Sequence, residues 1–304
     1  MSTRQPALSP SDPRSLRASE LPSLRLALLA TTAALLTLAY LVPLIDWFRL
    51  AAGSMMYSCV LLVPFISAYL VRERRAQLPQ QYSTSALFGS IALVAGFSMI
   101  ASYWTNREAA SAWHPHDRLA LVLGTYLLFL VSAGFYLLGV RIFRALAFPI
   151  CFLAFILPLP TALEHGLEIF FQYTSAEAAA LMFSLSGTPV LRDGLTFQLP
   201  GITLEVAREC SGINSSYVLL ITSLIAGHLF LKKPWKRVVL ALFVVPLAIA
   251  RNGFRIVTIG LLCVQISPDM IHSIIHRRGG PLFFALSLVP FFLVLLWLRR
   301  GERG

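Results

Sequence analysis

One of the four cysteines, Cys210, stands out by its surroundings. It lies within Glu205-Val-Ala-Arg-Glu-Cys-Ser-Gly-Ile-Asn214, where small and polar residues directly precede a long apolar run. The pKa of a thiol falls at the N-terminus of a helix, because the helix dipole and neighbouring cations favour the thiolate. We therefore predict that Cys210 is a nucleophile. The other cysteines lie within apolar runs and are predicted to be packing residues, a disulfide between the first and the last being the alternative: Cys59, Cys151 and Cys263.

Two arginines and an asparagine interrupt a later apolar run as Arg251-Asn252-Gly-Phe-Arg255. Arg255 follows Arg237 by 18 residues, which places it about 27 Å along a helix and near the opposite end of the run. Ionisable side chains within a membrane are costly and usually mark a functional site. We predict that both arginines face the helix bundle, the alternative being side chains that snorkel along lipid.

A third group of polar residues is His272-Ser-Ile-Ile-His276-Arg-Arg-Gly-Gly280, which precedes the last apolar run. Histidine exchanges protons near neutral pH, so His276 is predicted to be a proton carrier. Two histidines four residues apart could also form half of a metal site. No third ligand stands at a telling spacing, so we predict neither a metal nor a cofactor.

The predicted nucleophile Cys210 and proton carrier His276 thus each precede an apolar run, and the cation Arg255 lies near the end of the run between them. Together Cys210, Arg255 and His276 would form a cysteine–histidine catalytic set with an electrophilic stabiliser. Five further residues are candidates for supporting this set: Glu205, Asn214, Arg251, Asn252 and Gly280.

The composition shows what kind of scaffold must position these residues. Of the 304 residues, 57% are hydrophobic and 13% are charged, with a mean hydropathy of +0.73. Soluble proteins contain about 45–50% apolar and about 25% charged residues. This excludes a soluble enzyme, a disordered chain and a small disulfide scaffold, and leaves an all-α polytopic membrane protein.

A helix needs roughly 20 apolar residues to cross a hydrocarbon core of about 30 Å. We predict eight spans, with seven or nine as alternatives: 26–45, 54–71, 85–103, 118–139, 145–158, 211–230, 238–263 and 281–298. The fifth is short and ends at Pro158-Leu-Pro160. Residues 1–23 are polar and are predicted to be a flexible cytoplasmic tail, followed by a single membrane domain over 24–304.

The distribution of cations gives the orientation. With the N-terminus inside, 16 of the 25 Lys and Arg residues fall in inner segments, among them Lys236 and Arg237, and seven fall in outer segments. This bias predicts that both termini are cytoplasmic. The net charge of +11 is therefore a topology signal, and we predict no nucleic-acid partner.

One long segment, 158–210, lies outside the membrane in this arrangement. Residues 162–186 are predicted to form a helix along the outer surface or over the bundle. Residues 190–206 alternate and contain the turn signals Asp193-Gly194 and Pro200-Gly201, which predict a small β-hairpin. This extracytoplasmic insertion precedes the predicted catalytic helix, and the catalytic motifs extend over 205–284.

The motifs resemble those of the exosortase/archaeosortase family of membrane cysteine transpeptidases. The matching pieces are Glu205-Val-Ala-x-x-Cys210-Ser-Gly-Ile, Asn252-x-x-Arg255-Ile, and His276-x-x-x-Gly280 running into Phe283-Phe284. They occur in the family's order and cover roughly 120–298, while 1–117 match only as generic spans.

The resemblance implies a sortase-like protease or transpeptidase at the outer, periplasmic face of the bacterial inner membrane. Its substrates would be exported proteins with a C-terminal sorting signal of the PEP-CTERM type: a motif, one transmembrane helix and a basic tail. Such enzymes typically accompany exopolysaccharide production. In the implied mechanism Cys210 forms a thioester, Arg255 stabilises the oxyanion and His276 transfers the proton.

Two other classes remain as alternatives. A multispan transporter could use buried arginines to bind an anion, but it predicts two related halves with interrupted spans, and the sequence has no such halves. A lipid-modifying acyltransferase would also tolerate a cysteine and a histidine at the outer face. A structural scaffold has no need for a thiol, an arginine and a histidine at one depth.

Overall fold

A computed structural model gives the fold. It describes residues 13–79, 82–105, 113–208, 211–267, 269–270 and 279–302, with side chains from residue 23 onwards. Cys210, His272 and His276 lie outside the described residues. The described part is mostly helical and divides into two compact units, residues 1–160 and 161–304.

The first unit contains seven α-helices in its described part: α1 Pro13–Ala39, α2 Leu41–Gly53, α3 Val63–Arg74, α4 Ala86–Thr105, α5 Pro115–Leu137, α6 Val140–Ala145 and α7 Ala147–Phe152. Short 3-10 helices lie at Ser58–Leu62, Arg75–Gln77 and Leu153–Ile156. The α4 and α5 helices pack closely, because Gly89 and Gly96 leave room for two aromatic rings. A Cβ at Gly89 would lie 2.7 Å from the ring of Tyr136, and a Cβ at Gly96 would lie 2.6 Å from that of Phe129.

The second unit contains a small sheet among long helices. Its elements are α8 Thr161–Leu185, β1 Leu191–Asp193, β2 Thr196–Leu199, β3 Ile202–Glu205, α9 Ile213–Phe230, α10 Pro234–Gln265 and α11 Gly280–Arg300. The predicted outer helix over 162–186 corresponds to α8. Where the sequence predicted one hairpin, the structure has three antiparallel strands in the order β1-β2-β3, with positive φ at the turn residues Gly194 and Gly201.

The described residues do not confirm the eight predicted spans, although their upper count equals the alternative of seven. Among the described residues, five helices are long and apolar enough to cross a membrane: α4, α5, α9, α10 and α11. The count rises to seven if two broken pairs each form one span: Ser23–Ala39 with Leu41–Gly53, and Ala147–Ile156 with Thr161–Leu185. The chain is therefore a multi-pass membrane protein.

Local breaks explain the difference. The predicted span 54–71 is a 3-10 helix followed by α3, whose 12 residues extend only about 18 Å. The predicted span 145–158 contains the six-residue α7 and a further 3-10 helix. The predicted first span, 26–45, bends by 72° between α1 and α2. Hydropathy measures the apolar content of these segments, but it does not show where a helix stops.

The sheet packs its inner face onto two helices of the second unit. Side chains alternate along the strands, so Phe197, Leu199 and Leu204 are buried while Gln198 and Thr203 point outwards. The buried side chains form one core with residues of α8 and α10: Ala176, Ala179, Phe183, Ile256 and Val257. This core fixes the sheet against the helix that carries the two predicted arginines.

The other end of α10 is held by the end of α11. Pro234 begins α10, where the missing proline N–H costs nothing. The Glu302 carboxylate accepts the backbone N–H groups of Lys232 and Lys233 at 2.8 and 2.9 Å. Lys236 is buried rather than solvated and donates to the carbonyl of Leu298 at 2.6 Å. These contacts fix α11 to the start of α10.

Candidate active site

The α10 helix presents a buried polar pair to the segment that begins α9. Arg251 is 8% exposed and Asn252 is 2% exposed. Arg251 Nη2 donates to the carbonyl of Gly212 at 3.1 Å, and Asn252 Nδ2 donates to the carbonyl of Ser211 at 3.1 Å. Two consecutive side chains of one helix therefore hold the two consecutive carbonyls that follow Cys210 in the sequence.

Gly212 is required by both its conformation and its surroundings. Its φ is +79°, in the left-handed region that favours glycine. A Cβ at this position would lie 2.9 Å from Asn252 Cγ and 3.1 Å from Arg251 Nη2. The close approach of the α10 side chains to the backbone thus depends on a residue with no side chain.

The same segment forms the start of α9. Ser211 is buried, and its hydroxyl accepts the N–H of Ile213 at 3.5 Å. The Ser216 hydroxyl donates to the carbonyl of Gly212 at 2.8 Å. The first turn of a helix has N–H groups without intrahelical acceptors and carries a partial positive charge. In the sequence this positive end begins three residues after Cys210.

Arg251 is a buried cation whose hydrogen bonding is incomplete. Among the described residues, its buried Nη1 atom has no hydrogen-bond partner, and no carboxylate lies within 4.0 Å of its guanidinium. Arg255 lies one turn further along α10 and is half-buried. Residues four apart share a helix face, so both cations belong to the same side of α10. They are therefore not spread around a lipid-facing surface.

The chain on the other side of Cys210 is also held. Val206 is buried, and its N–H donates to the carbonyl of Leu195 at 3.0 Å. Its own carbonyl accepts a hydrogen bond from Gln172 Nε2 of α8. The sequence did not single out Gln172, which lies within the helix predicted over 162–186. The one available signal was a glutamine flanked by aromatic residues, Phe171 and Tyr173.

The other supporting candidates lie at different places. Asn214 is half-buried in the first turn of α9, close in sequence to the held carbonyls. Glu205 ends β3 with its side chain exposed, opposite Thr196 in the neighbouring strand. Gly280 begins α11, and a Cβ there would meet nothing within 4 Å. Of the supporting candidates, Arg251 and Asn252 therefore contact the two residues that follow Cys210. Glu205 lies on the exposed face of the sheet.

The remaining cysteines are not linked to each other. Cys59 is half-buried, Cys151 is exposed and Cys263 is buried, and all three are thiols. This rules out the alternative of a disulfide between Cys59 and Cys263. Among the residues the structure describes, no group of three metal-binding side chains is present.

Comparison with known proteins gives the class. The model of the transmembrane exosortase family matches residues 47–293. The chain belongs to this family. The match also covers residues 47–117, whose sequence resembles the family only in having generic apolar spans. No curated protein and no solved structure matches the chain.

Proposed function

We propose that this exosortase-family protein is a membrane cysteine transpeptidase that cleaves C-terminal sorting signals of exported proteins. The observation that carries the proposal is the contact of Arg251 and Asn252 with the carbonyls of Gly212 and Ser211. This contact joins two separate family motifs, the Cys210 motif and the Arg255 motif, at the start of α9. A packing role alone would not require two buried polar side chains at that position.

The first step uses the thiol. Cys210 Sγ attacks the scissile carbonyl carbon, and His276 accepts the thiol proton. The positive end of α9 favours the thiolate over the thiol. A carbon–sulfur bond forms as the carbonyl π bond opens, and the carbonyl oxygen becomes an oxyanion.

Arg255 supplies charged donors for that oxyanion. Its guanidinium lies on the same face of α10 as the side chains that hold the Cys210 segment. Charged hydrogen-bond donors stabilise a developing oxyanion most strongly where water is excluded. The half-buried setting of Arg255 supports this role.

The intermediate then collapses to a thioester. The carbon–nitrogen bond breaks, and His276 gives its proton to the departing amine. An acceptor amine, hydroxyl or water attacks the thioester carbonyl, His276 takes the acceptor's proton, and the thiol is restored. The acceptor decides between transpeptidation and hydrolysis.

The membrane setting selects the substrate. A substrate whose motif is followed by a transmembrane helix and a basic tail would place its own helix beside the bundle and its motif at the level of Cys210. Cations mark the cytoplasmic side, and Lys232 and Lys233 lie at the other end of α9, which puts this level at the periplasmic face of the inner membrane.

Removal of the thiol tests the proposal. An exported protein with such a C-terminal signal, encoded in the same genome, is expressed with each variant, and the mass of its C-terminal fragment is measured. Cys210→Ala should abolish the fragment, and Cys210→Ser should be nearly as inactive because a hydroxyl is far less acidic than a thiol. Cys263→Ala and Cys151→Ala are the matched controls and should retain cleavage. Full cleavage by Cys210→Ala would refute the mechanism and favour a transporter.

A further inference from the structure

Gln172 of α8 holds the chain just before Cys210. Its side-chain amide donates to the carbonyl of Val206, and the residue is only 7% exposed. We infer that Gln172 is a positioning residue that fixes the placement of Cys210, an inference that rests on the proposed function of this thiol. Among the described residues, Gln172 forms no hydrogen bond with Ser211, Gly212, Arg251 or Asn252.

The surroundings of Gln172 do not otherwise favour an amide. The other buried residues of α8 are small or apolar: Phe171, Ser175, Ala176, Ala179 and Phe183. Three of them, Ala176, Ala179 and Phe183, pack in one core with the sheet and α10. An amide buried without a hydrogen bond costs free energy, whereas a methionine of similar length would fill the space. The glutamine therefore contributes a donor, and that donor binds the backbone of Val206.

The chain is therefore held on both sides of Cys210, at Val206 and at Ser211, by two different helices. Gln172 of α8 holds Val206, while Asn252 of α10 holds Ser211. The N–H of Ser211 also donates to the carbonyl of Arg208 at 2.9 Å. A short segment fixed at both ends keeps its middle residues in place. Loss of either end would let Cys210 shift relative to Arg255 and the start of α9.

The size of the effect follows from the geometry of attack. A misplacement of about 1 Å between reacting groups lowers a rate by roughly 100-fold. Gln172→Met keeps the length of the side chain and removes the donor. We expect its kcat for signal cleavage to fall by roughly 10- to 100-fold. Its KM should stay within about twofold of the wild-type value, because uniform substrate binding is unchanged.

Thiol alkylation reports on Cys210 without any substrate. The rate of reaction with iodoacetamide is measured across pH in purified protein whose other cysteines are alanine. Moving the thiol away from the helix N-terminus removes part of the dipole's stabilisation of the thiolate. In Gln172→Met the midpoint of the alkylation profile should therefore rise by about half a pH unit.

A matched control separates positioning from general damage. Ser175 lies one turn along the same buried face, and its hydroxyl has no hydrogen-bond partner. Ser175→Ala should therefore leave kcat and the alkylation midpoint unchanged. A loss in Gln172→Met that Ser175→Ala reproduces, or a normal kcat and a normal midpoint in Gln172→Met, would overturn the inference.

Gln172→Glu gives a second, independent signature. A carboxyl group donates to the Val206 carbonyl only when it is protonated, and burial favours that form. The ratio of variant to wild-type kcat should therefore rise as the pH falls from about 8.5 to about 6. A ratio that stays low and constant across this range would contradict a role for the donor. Failure of the proposed function is separate, since it would appear as cleavage by Cys210→Ala.

Discussion

Arg251 and Gly212 are in contact across the interface between α10 and the start of α9, with Arg251 Nη2 3.1 Å from the Gly212 carbonyl oxygen. The contact requires a bare backbone, because any Cβ at Gly212 would collide with the side chains of Arg251 and Asn252. In the part of the chain that the structure describes, this buried arginine binds main chain and no acidic side chain. The main-chain carbonyl accepts one of its hydrogen bonds but, being uncharged, does not neutralise the positive charge of the guanidinium.

Gly212→Ala tests this contact directly. The left-handed backbone costs a residue with a side chain about 1–2 kcal/mol, and the clash with Asn252 adds to it. We expect a lower melting temperature and loss of signal cleavage. Gly166→Ala in α8 is the control, because a Cβ there meets nothing within 4 Å and an alanine suits a helix interior. Equal melting temperatures and equal cleavage for the two variants would show that the contact is unimportant.

Arg255→Lys should lose activity although it keeps the charge. An ammonium group cannot reproduce the planar set of donors of a guanidinium. We expect kcat to fall on the order of 100-fold or more, as when an oxyanion donor is removed. Arg192→Lys is the control, since Arg192 of β1 forms an ion pair with Glu177 of α8 at 2.7 Å. Wild-type cleavage by Arg255→Lys would mean that Arg255 contributes only charge.

Reporter fusions test the orientation on which the periplasmic active site depends. A reporter that works only in the periplasm should be active when fused after Pro200. It should be silent after Lys233, since cations mark the cytoplasmic side. The reverse pattern would place Cys210 on the cytoplasmic side and end the sorting proposal.

Glu302 should make stability depend on pH where α11 contacts the start of α10. Two backbone hydrogen bonds, from Lys232 and Lys233, lower the pKa of this carboxyl; burial opposes the shift and the nearby lysine charges add to it. A carboxyl with a lowered folded-state pKa stabilises the fold above its unfolded value of about 4.3 and loses that contribution as pH falls through the folded value.

Thermal unfolding of Glu302→Gln measures this contribution. The melting temperature of the variant should be lower than that of the wild type near neutral pH, because a neutral amide binds two N–H groups less well than a carboxylate. The difference should shrink as the pH falls below about 4. A difference that is the same at both pH values would mean that the charge of Glu302 is not involved.

Local patterns in the sequence were enough to predict several features. The composition predicted a polytopic membrane protein, and the motifs around Cys210 and Arg255 predicted the exosortase family. A helix was predicted over 162–186 and is found at Thr161–Leu185. These features depend on residues that are close in sequence, so a single chain is enough to show them. The roles of Cys210 and His276 remain predictions.

Only the tertiary structure decided which distant groups meet. The sequence counted Lys236 among the inner cations, yet it is buried against the carbonyl of Leu298. Gln172 and Val206 are 34 residues apart, and no local pattern relates a glutamine amide to that carbonyl. The breaks that shorten two predicted spans have the same origin, since an apolar run can bend wherever packing satisfies its backbone. Hydropathy and periodicity record what each segment prefers, whereas the choice of hydrogen-bond partner depends on how the helices pack.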